Sequence, residues 1–317
     1  MDAGHTITVA SGVTAIDTVM AGERELNAVY LLDGTEPCLV ETGPGADHDR
    51  LAASLASLGL AGDDLAHVVV THIHMDHAGG AGALLGRYPR ATVWVHEAGA
   101  RHLVDPERLI ASTARTYGQE RMRSLYGDML AVPAARLRAI AEGDRIPLGA
   151  RSLHVLHTPG HASHHVALHD DASGAMFTGE AIGSYLPWAT CFRPALPPPE
   201  VDLDAAQASI RRILDREPTT LLTSHFGAVP DVVDACEIAA ERVAAWAQDV
   251  RDLLEQDIDI AEDDIVGALT RRARQEFEAD AGRSFEQARY DALGSIRMNA
   301  QGLARYWRKR WERESGL

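Results

Sequence analysis

The sequence predicts an α/β protein with a helical C-terminal extension. Three observations carry that class. Short apolar runs bounded by turn signals alternate with segments of helical period over residues 6 to 228. Several of these runs end in a histidine or an acidic residue, which suits a sheet system that presents side chains along one edge. Beyond residue 230 the strand signals stop. An apolar stripe then runs at steps of four and three, from Val232 through Cys236, Ala239, Val243, Trp246 and Val250 to Leu253. The expected division is 1–230 for the α/β domain and 231–317 for the helices.

Composition narrows the function classes. The chain has 317 residues, enough for one large domain and a smaller one. Its net charge of −16 disfavours nucleic acid or an anionic membrane as the main partner, and a small molecule is expected instead. The three cysteines, Cys38, Cys191 and Cys236, form no CxxC pair. An odd, sparse set fits a reducing compartment, so a cytoplasmic location is expected. Met1 to Val13 holds no basic segment followed by an apolar run. No apolar run approaches the roughly 18 residues that span a bilayer.

In chain order, Ile7–Val9, Ala15–Ile16, Ala28–Leu32 and Cys38–Val40 read as strands, with Asp33-Gly34 as a hairpin turn. A tight loop, Glu41 to Gly45, follows. Ala46 to Leu60 reads as a helix with Leu51, Leu55 and Leu58 on one face. A strand over 67–71 leads into Thr71-His72-Ile73-His74-Met75-Asp76-His77-Ala78-Gly79-Gly80, and a helix begins near Ala78. Thr92–Val95 is a strand. Residues 97–140 read as mostly helical, without a chemical signature; they either shape a pocket or fill space. Ser152–Leu156, Val166–Leu168, Ala175–Phe177 and Thr220–Thr223 are strands, 181–200 is loop, and Leu203–Leu214 is a helix. In the extension a second helix is expected near 259–279, and Ser284-Phe285-Glu286-Gln287 has the form of a capping box opening a third. The apolar stripe either packs on the parent domain or makes a homodimer contact. The basic and aromatic tail reads as a helix docked by Tyr306, Trp307 and Trp311.

The chemistry concentrates at four strand ends. His72, His74, Asp76 and His77 place four potential metal ligands within six residues. On an extended strand, His72 and His74 point to the same side, and the following turn curls Asp76 and His77 back. His157-Thr158-Pro159-Gly160-His161 presents His161 from a rigid turn. Thr178-Gly179-Glu180 and Ser224-His225 each set a ligand type just past a strand. His96 and His102 have no partners at ligand spacing and read as structural or surface residues.

The order His-x-His-x-Asp-His, Pro-Gly-His, Gly-Glu, Ser-His resembles the metallo-β-lactamase superfamily over roughly residues 10 to 228. The resemblance implies an αββα sandwich with metals at one edge of the two sheets. By motif, His72, His74 and His161 would hold the first metal, and Asp76, His77 and His225 the second. Glu180 occupies the position that bridges both. It is also a departure, since the family's bridging residue is usually Asp in Thr-Gly-Asp. Lactonase-like members carry a tyrosine near Tyr185, which would hydrogen-bond the developing oxyanion.

Imidazole nitrogen and carboxylate oxygen suit Zn²⁺, and also Fe and Mn. Two divalent ions, Zn²⁺ first, are the expected cofactors. Zinc lowers the pKa of its bound water to about 7, and a hydroxide between two metals would attack a carbonyl carbon. Asp76 would receive the proton and pass it to the leaving group. His164 and His165 would support the ligands rather than join them. The expected activity is hydrolysis of a small ester, lactone or thioester. The alternatives are a mononuclear iron oxygenase of the persulfide-dioxygenase kind and a phosphodiesterase.

Overall fold

The structure is a computed structural model that describes residues 4–229, 231–293 and 295–315. It opens with strands β1 (Thr6–Ala10), β2 (Val13–Asp17), β3 (Ala28–Leu32) and β4 (Cys38–Val40) and helix α1 (His48–Ser57). Strand β5 (His67–Val69), helices α2 (Met75–Ala78) and α3 (Ala81–Arg87) and strand β6 (Thr92–His96) follow. Helices α4 (Glu97–Val104), α5 (Glu107–Tyr117) and α6 (Gln119–Tyr126) precede β7 (Leu137–Ile140). Strands β8 (Arg145–Leu148), β9 (Arg151–His157), β10 (Val166–Asp170) and β11 (Ala175–Gly179) come next. The hairpin β12 (Ser184–Leu186) and β13 (Cys191–Arg193) is followed by α7 (Leu203–Leu214), β14 (Thr220–Thr223) and β15 (Gly227–Val229). The chain closes with α8 (Val232–Gln256), α9 (Glu262–Ala281), α10 (Gln287–Tyr290) and α11 (Ser295–Glu314).

Among the described residues, β1 to β7 form one sheet in sequence order. A second sheet has the order β15-β14-β11-β10-β9-β8. Strand parity explains how they stack. Ala28, Tyr30 and Leu32 face one way from β3 and meet Val155, Val166, Leu168 and Phe177 of the other sheet. Val29 and Leu31 face the opposite way and pack on Leu51, Leu55, Leu84 and Tyr126 from the helices. In the second sheet Leu156, Ala167 and Met176 turn outward against α7, α8, α9 and α11. The layers are therefore helix, sheet, sheet, helix, the αββα arrangement.

The structure departs from the sequence reading in several places. β5 ends at Val69, so His72 and His74 lie in the loop beyond it rather than on the strand. Asp76 and His77 sit in the short helix α2, not in a turn. Leu58 is exposed because α1 stops at Ser57. The expected loop 181–200 contains the β12–β13 hairpin. β15 pairs with β14 through a three-residue turn that carries no apolar run to announce it. Ser284 does not cap a long helix. Only one turn follows, and its N-cap is Glu286, two residues past Ser284.

The C-terminal stripe is spent inside the chain. Cys236, Ala239, Val243, Trp246 and Val250 are buried in one core with the outer face of the second sheet. Of the two readings of this stripe, packing on the parent domain is the one seen, and among the described residues the stripe leaves no apolar face for a homodimer contact. Asp231 caps α8, its carboxylate accepting from the backbone N–H of Val233 and Asp234 at 3.0 and 3.1 Å. Trp246 is fully buried and donates from Nε1 to Glu276 Oε2 at 2.9 Å. Trp246→Ala is expected to cost about 3–5 kcal/mol through the cavity left behind. Urea unfolding checks this, and a loss under about 1 kcal/mol would mean that α8 contributes little to the shared core.

Candidate metal centre

Five strands run toward the same edge and deliver its side chains. β4 and β5 are parallel neighbours, as are β11 and β14, so their C-terminal ends lie side by side. Glu41 follows β4, the His72–His77 segment follows β5, Glu180 follows β11 and His225 follows β14. The turn after β9 carries His161. Gly179 precedes Glu180 at φ 53°, where a Cβ would meet His165 Nε2 at 2.4 Å and Thr71 Oγ1 at 2.7 Å. Only glycine lets β11 reach the edge this closely. The α2 backbone is held from outside: Asn27 Nδ2 donates to Asp76 O at 3.0 Å, and Thr42 N and Oγ1 donate to His77 O at 2.8 and 2.7 Å.

The seven expected ligand residues come together in two groups. His72, His74, His161 and Glu180 form one, and Asp76, His77 and His225 the other. In the first, His72 Nε2 and His161 Nε2 lie 3.0 and 2.9 Å from His74 Nδ1. Glu180 Oε2 lies 2.9 Å from His161 Nε2 and 3.4 Å from His72 Nε2. Ligand atoms about 2.0–2.1 Å from one ion in a tetrahedron stand about 3.3 Å apart. In the second group, Asp76 Oδ2 lies 3.5 Å from both His77 Nε2 and His225 Nε2. Glu180 joins the groups, with Oε2 at 3.4 Å from His77 Nε2 and Oε1 at 3.7 Å from His225 Nε2.

The opposite ring nitrogens are fixed by protein acceptors. His161 Nδ1 donates to Ala195 O at 3.0 Å, and His225 Nδ1 donates to Leu26 O at 2.5 Å. His72 Nδ1 meets Thr71 Oγ1 at 3.0 Å. His77 Nδ1 faces Glu41 Oε1 at 3.4 Å, and neither of its ring nitrogens has a hydrogen-bond partner. Orphaned nitrogens in a buried imidazole are costly unless a cation completes the set. Orienting partners of this kind are what metal-binding imidazoles require.

Charge follows the same logic. Burial and the neighbouring His161 push His74 down to about 3, and burial and His77 hold His72 well below its usual range. Both are therefore neutral, with lone pairs available. Burial opposes ionisation of Asp76 and Glu180, yet the imidazoles beside them hold both carboxyls well below the usual range. Against the opposing effect of burial, the Asp76 and Glu41 carboxylates hold His77 well above its usual range and Glu180 raises His161. Imidazole nitrogens gathered beside ionised carboxylates are a donor set that fits a divalent cation.

Tyr185 is not brought to this centre. Its ring is buried in the apolar core against Phe192, with ring centroids 5.1 Å apart. Its backbone instead brackets the His225 peptide, Phe226 N donating to Tyr185 O at 2.9 Å. Strand β12 alternates its faces, and Ser184 rather than Tyr185 looks into the cavity. The phenols that do line the cavity are Tyr117 and Tyr126, from the segment that carried no motif. His165 supports the site as expected, accepting at Nε2 from Glu180 N at 3.0 Å. His96 stacks on His157 and stays outside the two groups, whereas His102 lines the cavity.

Glu41 is the residue that sequence reasoning missed. It is fully buried at φ 71°, and its carboxylate accepts from Thr71 Oγ1 at 2.5 Å and Ser224 Oγ at 2.9 Å while facing His77. The signal was available: an acid just past a strand, the same pattern as Glu180.

A sequence profile described as the Metallo-beta-lactamase superfamily matches residues 22–258. The chain belongs to the metallo-β-lactamase superfamily. An acyl-coenzyme A thioesterase, MBLAC2 of Gallus gallus, is 33% identical over 171 residues, which are 50% of this chain and 60% of that protein. A hydroxyacylglutathione hydrolase of Aeromonas hydrophila is 30% identical over 159 residues, 50% of this chain and 47% of its own. The chain thus spans only about half to three-fifths of the length of these curated relatives. The crystal structure of the archaeal superfamily protein ST1585 from Sulfolobus tokodaii aligns with a TM-score of 0.64 at 21% identity, covering 96% of this chain and 98% of that one. It shares the fold. The superfamily match extends past residue 230 into α8, in keeping with the shared core.

Within this superfamily site, Glu41→Gln keeps the size of the side chain and removes the charge facing His77. It is expected to weaken metal affinity by about tenfold to a hundredfold. Competition with a chromophoric chelator measures this, and affinity equal to wild type would show that Glu41 only fills space.

Proposed function

We propose that this protein is a metal-dependent hydrolase that uses two divalent ions, zinc first, to cleave a small thioester or ester. The observation that carries the reading is Glu180, a single buried carboxylate facing both ligand groups at the base of a cavity of about 470 Å³. In this reading His72, His74 and His161 would hold one ion and Asp76, His77 and His225 the other, with Glu180 facing both groups. The thioester preference is supported by the names of the two relatives, each of which acts on an acyl group carried by a thiol.

The metals supply an activated water and polarise the substrate carbonyl. The chain's own residues do the rest. Water adds to the carbonyl carbon, the bond to sulfur breaks, and acid and free thiol leave. Asp76 turns Oδ2 to His77 and His225, which leaves Oδ1 to take the water's proton and return it to the departing sulfur. Tyr117 and Tyr126 stand in the cavity wall in place of Tyr185. Burial pushes Tyr117 up to about 12 and raises Tyr126 well above its usual range, with the Asp76 and Glu180 charges adding to both shifts. Both phenols therefore keep their protons at neutral pH and can donate to the carbonyl oxygen as it gains charge. The cavity volume suits a small molecule.

Removing metal by dialysis against a chelator is expected to abolish butyryl-thioester hydrolysis, and added zinc to restore it. Full activity in the metal-free protein would contradict the reading. Tyr126→Phe is expected to lower kcat by about tenfold to a hundredfold with metal content unchanged. An unaltered kcat would remove Tyr126 from the reaction.

A further inference from the structure

One wall of the cavity carries charge that the reaction does not use. Helices α4 and α5 contribute Arg101, Arg108, Ser112 and Arg115 to its lining. Arg108, Ser112 and Arg115 follow one another at steps of four and three, so they fall on one face of α5. α5 packs on the core through Leu109, Ile110, Ala114 and Tyr117, and Arg108 and Arg115 are exposed on its other face. The chain holds 46 acidic residues against 30 basic ones. Arg87, Arg145 and Arg212 each hold a carboxylate elsewhere on the surface. Among the described residues, none of the three guanidiniums of this wall is ion-paired; the fourth cavity arginine, Arg193, donates to Tyr290 O and Ser184 Oγ. Arg101 donates only to His102, Nε to Nε2 at 3.1 Å. The one cavity carboxylate outside the two ligand groups, Glu200, is engaged by Ser163 N and Oγ at 2.9 and 2.7 Å. Ser112 hydroxyl stands between two guanidiniums whose donors match the oxygens of an anion.

We infer that the α4–α5 wall binds an anionic group of the substrate, a phosphate or a carboxylate carried on the leaving thiol. Placement on the leaving thiol rests on the proposed hydrolase reading; the anion site itself does not. Specificity in this account is a difference in charge on the thiol, read by Arg108 and Arg115.

The test compares butyryl thioesters of coenzyme A, glutathione and uncharged N-acetylcysteamine, which share an acyl group and differ in phosphates, carboxylates or neither. In the Arg108→Ala/Arg115→Ala double variant, KM for one of the charged thioesters is expected to rise about tenfold or more while the uncharged one is turned over as before. The thioester that responds identifies phosphate or carboxylate. Equal changes in all three, or in none, overturn the inference. Calorimetric binding of desulfo-coenzyme A and of S-methylglutathione gives a readout that needs no turnover. Wild type is expected to bind one of them and the double variant about tenfold more weakly. If no thioester is hydrolysed yet this binding difference holds, the hydrolase reading fails and the anion site stands. If wild type binds neither, the anion site fails.

Discussion

Glu180 presents one carboxylate to imidazoles from three separate strand ends, and the surrounding structure is arranged around that contact. An ionised carboxylate in so enclosed a site is unfavourable without compensating positive charge. The fold supports this arrangement by fixing the rings of several ligand histidines. Ala195 O and Leu26 O hold the rings of His161 and His225, and Glu41 faces His77. Glu41 also ties Thr71 and Ser224, so one buried acid links the ends of β4, β5 and β14.

The helical extension belongs to the same device. Asn299 of α11 is buried, accepts from Leu196 N at 2.7 Å and donates to Pro194 O at 2.8 Å. The residue between them, Ala195, holds His161. Packing of α8, α9 and α11 on the second sheet is thereby connected to the orientation of a candidate ligand through one asparagine and one loop. Of these, α11 borders the cavity at Met298 and Asn299. Stability of the extension and geometry of the centre are consequently coupled.

Much of this was legible in the sequence because it rests on short-range rules. Turn residues and strand periodicity located β1 to β6 and β9 to β11, and the helical period of 203–214 matches α7 residue for residue. The ligand pattern was readable because each candidate lies within three residues of a turn or strand end. What escaped depends on tertiary context. Tyr185 faces the core because β12 pairs with β13, and no local signal announced that hairpin. Tyr117 and Tyr126 reach the cavity only because α5 and α6 fold over it, which their amphipathic pattern does not specify. The a/d stripe of α8 was ambiguous for the same reason: the pattern demands an apolar partner and is indifferent to whether the same chain supplies it. Ser284 matched a capping motif, but the helix that follows is a single turn with Glu286 at its N-cap.

The most direct test of the account is the metal content of the purified wild-type chain beside Glu180→Ala, by elemental analysis after metal-replete growth. With one carboxylate serving both groups, about two ions per chain are expected in wild type and a loss of at least one in the variant. Less than about a tenth of an ion per chain in wild type, or equal content in both proteins, would contradict the role assigned to Glu180.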